Sequence, residues 1–378
     1  MSALPDARTR QTLRRRLLAW YDAHARDLPW RRRSDPYAVW LSEVMLQQTQ
    51  VETVKPYFER FMATLPTIEA LAKADEHDVL RLWEGLGYYR RARQLHAAAK
   101  RIMAEHGGQF PRDPEAVRRL PGIGRYTAGA ILSIAFDARE PILEANTVRL
   151  LSRLLAYPGD PQSTEGQRLL WAMAEILLPR RNVGRLNQAL MELGSGVCTP
   201  RSPRCDDCPI APMCRANQQG LQQEIPRPKT KPPVEAVREA AVLVRRGSRV
   251  LLLRWPEGRR WAGLWDFPRF PVEGRSADAP FDDDLNRELV KNVLALTGVK
   301  VTPGPHMTTI THGVTRFRIT LECFEAKYRS CDKRSATALE TRWLETSELR
   351  DYPLSSTGRK LANLLQKRSP GTVSRRAR

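Results

Sequence analysis

The chain has 378 residues, 42% hydrophobic and 28% charged with nine tryptophans, which is the composition of two or three folded domains and not of a disordered segment. Lys and Arg number 62 against 42 Asp and Glu, a net charge of +20 that favours a polyanionic partner without naming any chemistry. No run approaches the roughly 18 apolar residues of a membrane span, and the N-terminus, with Arg8, Arg10 and Arg14 to Arg16, lacks the apolar core of a secretion signal; a cytoplasmic protein with no membrane partner is expected.

In chain order, the first part reads as helical. Asp35-Pro36 combines an N-cap with a first-turn proline, and Asp113-Pro114 repeats the device. Leu120-Pro121-Gly122-Ile123-Gly124 separates the helix beginning near Asp113 from a second one predicted over 125–136. After residue 218 a run of glutamines leads into Pro226, Pro228, Pro232 and Pro233 interleaved with Arg227, Lys229 and Lys231, which reads as a linker. Beyond it the period changes to two. Segments 239–244 and 249–254, joined by Arg246-Gly247-Ser248, predict a hairpin; 316–324 alternates through Phe317, Ile319, Leu321 and Cys323; and 285–296 predicts a helix. The expected architecture is multidomain: an all-α domain over 1–217, a Pro-rich linker over 218–234, an α+β domain over 235–367 and a basic tail over 368–378. Both folded parts are basic, the second more so.

Cysteine use divides the chain. Cys198, Cys205, Cys208 and Cys214 form one short cluster, while Cys323 and Cys331 stand apart. Four thiolates on one loop favour a metal centre over disulfides in a cytoplasmic setting. Zinc sites come as two close pairs; here a single pair is close, which suits an iron–sulfur cluster better and leaves zinc as the alternative. Arg201, Arg204 and Arg215 surround the thiolates and suit either the cluster's charge or a phosphate. Upstream, Gly122 and Gly124 let the backbone aim N–H groups outward at a helix start, an anion site flanked by Arg118, Arg119 and Arg125. A helix–hairpin–helix gripping a phosphate without reading sequence and a plain helical turn both fit that segment.

With the hairpin and cysteine loop together, the sequence resembles the helix–hairpin–helix DNA glycosylases with an iron–sulfur cluster, and within them the adenine DNA glycosylase (MutY) family. The resemblance is carried by Leu28-Pro29-Trp30, by residues 40–51, by Trp83-Glu84-Gly85-Leu86-Gly87-Tyr88-Tyr89, by residues 120–130 and by Asn187-Gln188-Ala189-Leu190-Met191. It implies excision of adenine mispaired with 8-oxoguanine or guanine in double-stranded DNA. It further implies a [4Fe–4S] cluster on Cys198, Cys205, Cys208 and Cys214, and a monomer is expected.

Breaking a purine N-glycosidic bond needs a proton for the leaving base and negative charge beside the cationic sugar, hence two carboxyl groups with separate roles. Glu43 lies on a predicted helix with Trp40 and Leu46 three residues away on either side, a partly apolar setting that favours its acid form. By resemblance Glu43 protonates the adenine, and Glu144 stands where the family has an aspartate, with Asn146 two residues on. The extra methylene moves a carboxylate by on the order of 1 Å, which predicts a slower enzyme. Gln48, Leu86 and Tyr88 are expected to enter the duplex as adenine flips out, with Thr49 beside them, and Gln188, Arg31 and Trp30 to line the base pocket. Gly122, Gly124 and Arg125 are expected on phosphate. Tyr126 occupies the position at which the related endonuclease III enzymes carry a lysine nucleophile, so strand cleavage is expected to be weak or absent.

Residues 235–367 resemble the family's Nudix-like domain through 261–268 and Arg342-Trp343-Leu344. Arg287-Glu288-Leu289 is followed by Val290, Lys291 and Asn292, without the paired glutamates that bind Mg²⁺ in a Nudix hydrolase, so lesion recognition is expected in place of hydrolysis. Ile310-Thr311-His312 matches the family's Phe-Ser-His recognition loop with isoleucine for the aromatic wedge; the same triplet also reads as a strand end. Two rival readings remain at this point. One is a glycosylase/lyase like endonuclease III, disfavoured by Tyr126; the other is a lesion-binding protein with a disabled site, favoured by Glu144 alone.

Overall fold

The computed structural model describes residues 4–227, 233–272, 283–314, 316–332 and 339–368. Residues 369–378 of the expected tail and 228–232 of the expected linker lie outside them. Two compact units form: residues 1–74 with 94–230, and residues 75–93 with 231–378.

The helices preceding the first strand are α1 (Ala7–His24), α2 (Pro36–Leu46), α3 (Val51–Thr64), α4 (Ile68–Lys73), α5 (Glu76–Trp83), α6 (Arg90–His106), α7 (Pro114–Arg118), α8 (Arg125–Phe136), α9 (Ala145–Leu155), α10 (Thr164–Ile176), α11 (Val183–Gly196) and α12 (Arg215–Gln218). Asp35 and Asp113 cap α2 and α7, as their Asp-Pro pairs predict. Helix α2 is apolar nearly all round and is buried from Tyr37 to Met45, so Glu43 has to sit inside the fold. Helix α8 stops at Asp137 in the left-handed conformation, and the Asp137 carboxylate then accepts from the N–H groups of Asn182 and Val183, which starts α11 against α8. Gly194 of α11 packs where a Cβ would stand 2.9 Å from that of Asn146, so α9 and α11 approach closely at the base of the site. The core joining α1, α9, α10 and α11 runs through Leu17, Leu151, Leu170, Leu186 and Leu190 up to Cys198. The opening of the expected linker is packed onto this unit: Ile225 is buried and its carbonyl accepts from Arg153 Nε at 2.8 Å. The surrounding glutamines and prolines mask the buried Ile225 in the sequence.

In the second unit, β1 (Glu235–Arg246), β2 (Arg249–Arg254), β3 (Trp265–Asp266), β4 (Arg269–Pro271), β5 (Val299–Val314), β6 (Phe317–Cys331) and β7 (Thr341–Glu345) make a mixed sheet of order β3-β2-β1-β6-β5, with β4 on β1 and β7 on β2. Strand β1 runs parallel to β6 and antiparallel to β2. Helix α13 (Asp283–Thr297) covers Ala240, Val242 and Val244 on one face, and α14 (Ser356–Arg368) covers Ala241 and Leu243 on the other. With both faces covered, β1 is buried continuously from Arg238 to Val244 and does not alternate. An all-α unit and an α+β unit are therefore both present, as the sequence predicts. No helix among the described residues is long and apolar enough to cross a membrane.

Candidate active site and cluster-binding loop

A cleft of about 480 Å³ opens in the helical unit, and Trp30, Arg31, Glu43, Gln48, Thr49, Tyr126, Glu144, Asn146 and Gln188 all line it. Residues spread over more than 150 positions of sequence thus converge because α2, α8, α9 and α11 pack around one space. Glu43 is 5% exposed, and Tyr126 Oη donates to its Oε2 at 2.5 Å. Burial pushes the Glu43 carboxyl up to about 7, against the opposing pull of the Tyr126 hydrogen bond and of Arg31. It is a carboxylic acid able to hold a proton near neutral pH. Burial beside Glu43 drives the Tyr126 phenol well above its ordinary range, so it stays a hydrogen-bond donor.

Glu144 is the N-cap of α9. Its Oε2 accepts from Asn146 N at 2.8 Å and its Oε1 from Thr147 N at 2.9 Å, while Thr147 Oγ1 accepts from Glu144 N, completing a capping box. Burial raises this carboxyl too, opposed by the two backbone N–H groups. The positive end of α9 thus faces the Glu144 carboxyl in the cleft. Both oxygens of Glu144 are thus pinned to backbone N–H groups at the helix start. Asn146 orients Glu144 through its backbone N–H; its side-chain oxygen accepts from Arg149 Nη2 at 2.8 Å.

Trp30 packs edge-on against Phe58, and Tyr21 Oη donates to Gln188 Oε1 at 3.3 Å. Gln48 is exposed with a left-handed backbone, φ 58°, immediately after α2. Tyr88, in the second unit, is likewise exposed at φ 49°. Leu86 differs from its expected place: it is buried in this conformation, not presented for insertion. At the hairpin, Gly122 adopts φ 76° and Gly124 caps α8 without a side-chain bond; both are exposed. Arg125 lies over the Trp171 ring at 3.8 Å.

Ile310-Thr311-His312 is not a loop. It lies within β5, with Ile310 opposite Leu321, Thr311 opposite Thr320 and His312 opposite Ile319 on β6. Strand alternation turns Ile310 into the core beside Trp265 and Leu321 and leaves Thr311 exposed, so Ile310 is no wedge. His312 Nε2 sits 3.3 Å from Arg269 Nη2.

Sequence reasoning missed Arg26, Glu192 and Ser195, which also line the cleft. Glu192 lies one turn beyond Gln188 on α11, an acid in an otherwise apolar stretch, and that was the available signal.

Cys198, Cys205, Cys208 and Cys214 line one small cavity with Leu150, Leu154, Val197 and Ile210. Arg153, 2% exposed, donates from Nη1 to Cys198 Sγ at 3.2 Å and to the Thr199 carbonyl, which places positive charge against the sulfurs. Four thiols around an apolar space, with a buried guanidinium on one of them, fit an anionic iron–sulfur group.

Residues 41–175 match the description of HhH-GPD superfamily base excision DNA repair proteins, 198–214 the iron–sulfur binding domain of endonuclease III, and 240–364 the NUDIX domain. The second match decides the cysteine loop for iron–sulfur over zinc. An adenine DNA glycosylase of Rattus norvegicus is 34% identical over 95% of this chain and 79% of its own length. Its Homo sapiens counterpart is 34% identical over 94% and 74%. The chain belongs to the adenine DNA glycosylase family. Within that family of double-stranded DNA repair glycosylases it keeps the helical catalytic unit, the iron–sulfur loop and the Nudix-like unit. A solved thermostable thymine-DNA glycosylase superposes on 56% of the chain and 98% of its own with a TM-score of 0.52 at 28% identity.

Proposed function

We propose that the protein excises adenine mispaired with 8-oxoguanine or guanine as a monofunctional glycosylase. The observation carrying this reading is the pair of carboxyl groups in one cleft, one kept acidic by burial and one held by a helix N-terminus. The Glu43 carboxyl donates its proton to a ring nitrogen of adenine as the glycosidic bond breaks and its electron pair leaves with the base. Glu144 stabilises the oxocarbenium-like sugar, which water then attacks, its proton passing to the Glu43 carboxylate and restoring the acid. Tyr126 holds the Glu43 carboxyl and offers no amine, so no Schiff base forms and the product is an intact abasic strand. Gln48 fills the space left by the flipped base, and Gln188, Arg31 and Trp30 contact the adenine. Gly122, Gly124 and Arg125 meet phosphate. With Ile310 in the core, preference for the oxidised guanine rests on Thr311 and His312. The cluster on the four cysteines is [4Fe–4S]; when bound it ties the loop together. The enzyme acts as a cytoplasmic monomer.

Single-turnover excision by Glu43→Gln and Glu144→Gln tests the assignment. Each is expected to lose at least about a hundredfold in rate, and a variant as fast as the parent removes that residue from the mechanism.

A further inference from the structure

Glu192 makes a set of contacts that excision as described does not use. Its side chain is 4% exposed and paired with two guanidinium groups: Arg26, from Nε at 2.5 Å to Oε1 and from Nη2 at 3.0 Å to Oε2, and Arg31, from Nη2 at 2.7 Å to Oε2. Arg31 also donates to the Arg26 carbonyl and lies over the Tyr21 ring, whose hydroxyl bonds Gln188. One carboxylate on α11 therefore fixes a chain that runs through Arg31 and Tyr21 to Gln188, and Arg31 and Gln188 line the cleft.

The charges matter as much as the positions. Glu43 is faced by Tyr126 from α8, by Glu144 at the start of α9 and by Arg31 from the short turn Pro29–Arg31, and Arg26 and Glu192 share its cleft. A free cation near Glu43 favours the carboxylate and so removes the proton that excision needs. Two arginines stand in this cleft with Glu192 between them.

We propose that Glu192 is the positioning and charge-balancing residue of the base pocket: by binding Arg26 and Arg31 together it fixes the place of Arg31 and offsets the positive charge that would otherwise deprotonate Glu43. This rests on the acid role of Glu43. It is distinct from a purely structural role, which would lower the rate equally at every pH.

The test is the pH profile of single-turnover excision on an adenine:8-oxoguanine duplex. Glu192→Gln keeps the side chain's size and leaves the two guanidinium groups uncompensated; its alkaline limb should move to lower pH by about one unit. Arg26→Gln removes one cation and should move the limb the opposite way, which keeps the proposal testable if Glu192→Gln folds poorly. Opposite shifts support the proposal. Profiles superimposable on the parent's, or a shift of Glu192→Gln to higher pH, overturn it while leaving the acid role intact. A Glu43→Gln control that still excises with the parent's profile overturns the acid role and this proposal with it.

Discussion

Tyr126 Oη and Glu43 Oε2 stand 2.5 Å apart, joining the start of α8 to the middle of α2 across the cleft. The phenol donates, so the carboxyl is held in place from a neighbouring helix. In the proposed mechanism the same side chain orients the acid and supplies no amine for strand cleavage.

The same burial that makes Glu43 an acid costs the fold stability. In the unfolded chain Glu43 ionises near 4.5, in the folded chain near 7, so folding is penalised increasingly as pH rises through that window. Glu43→Gln removes the penalty. It should match the parent in denaturant unfolding below pH 4.5 and exceed it above pH 7, by up to roughly 3 kcal/mol. A variant less stable than the parent at pH 8 contradicts the burial argument.

Glu144 should tolerate shortening. Its oxygens are pinned to Asn146 N and Thr147 N, the N–H groups an aspartate would also cap. Glu144→Asp is expected to change the single-turnover rate by less than roughly tenfold, short of the hundredfold that a 1 Å misplacement costs. Glu144→Ala should lose the activity and about 1 kcal/mol of stability with the cap. Parallel rate and unfolding measurements check both.

Arg153 should be required for the iron–sulfur loop. It is buried and reaches Cys198 Sγ and the carbonyls of Thr199, Pro200 and Ile225. Arg153→Met leaves those acceptors without their donor. Iron and sulfide per chain should fall well below the parent's, and the visible absorbance with them; unchanged content would show that the guanidinium does not support the cluster.

The sequence was most legible where chemistry needs several residue types at fixed spacing. Asp35-Pro36, Gly122 to Gly124 and the four cysteines each report local backbone or metal demands, and each lies where the sequence reading put it. Glu43 was readable because α2 is apolar on every side, leaving an acid there nowhere to go but a cleft. What failed depended on tertiary neighbours. The core position of Ile310 follows from β6 pairing and from Trp265, distant in sequence, and a triplet cannot announce that pairing. The packing of Ile225 follows from Arg153 in the same way. Glu192 showed as an acid in an apolar stretch of α11, but its role was hidden because its partners Arg26 and Arg31 lie over 150 residues upstream.

The central claim, acid-assisted adenine excision without strand cleavage, is tested most directly with a duplex carrying one adenine opposite 8-oxoguanine, incubated with the protein and analysed with and without alkali. The account predicts breakage at the adenine after alkali and an intact strand without it. Breakage without alkali would reveal a lyase despite Tyr126, and binding with no breakage in either case would mean that the Glu43 and Glu144 cleft recognises the mispair without cutting the glycosidic bond.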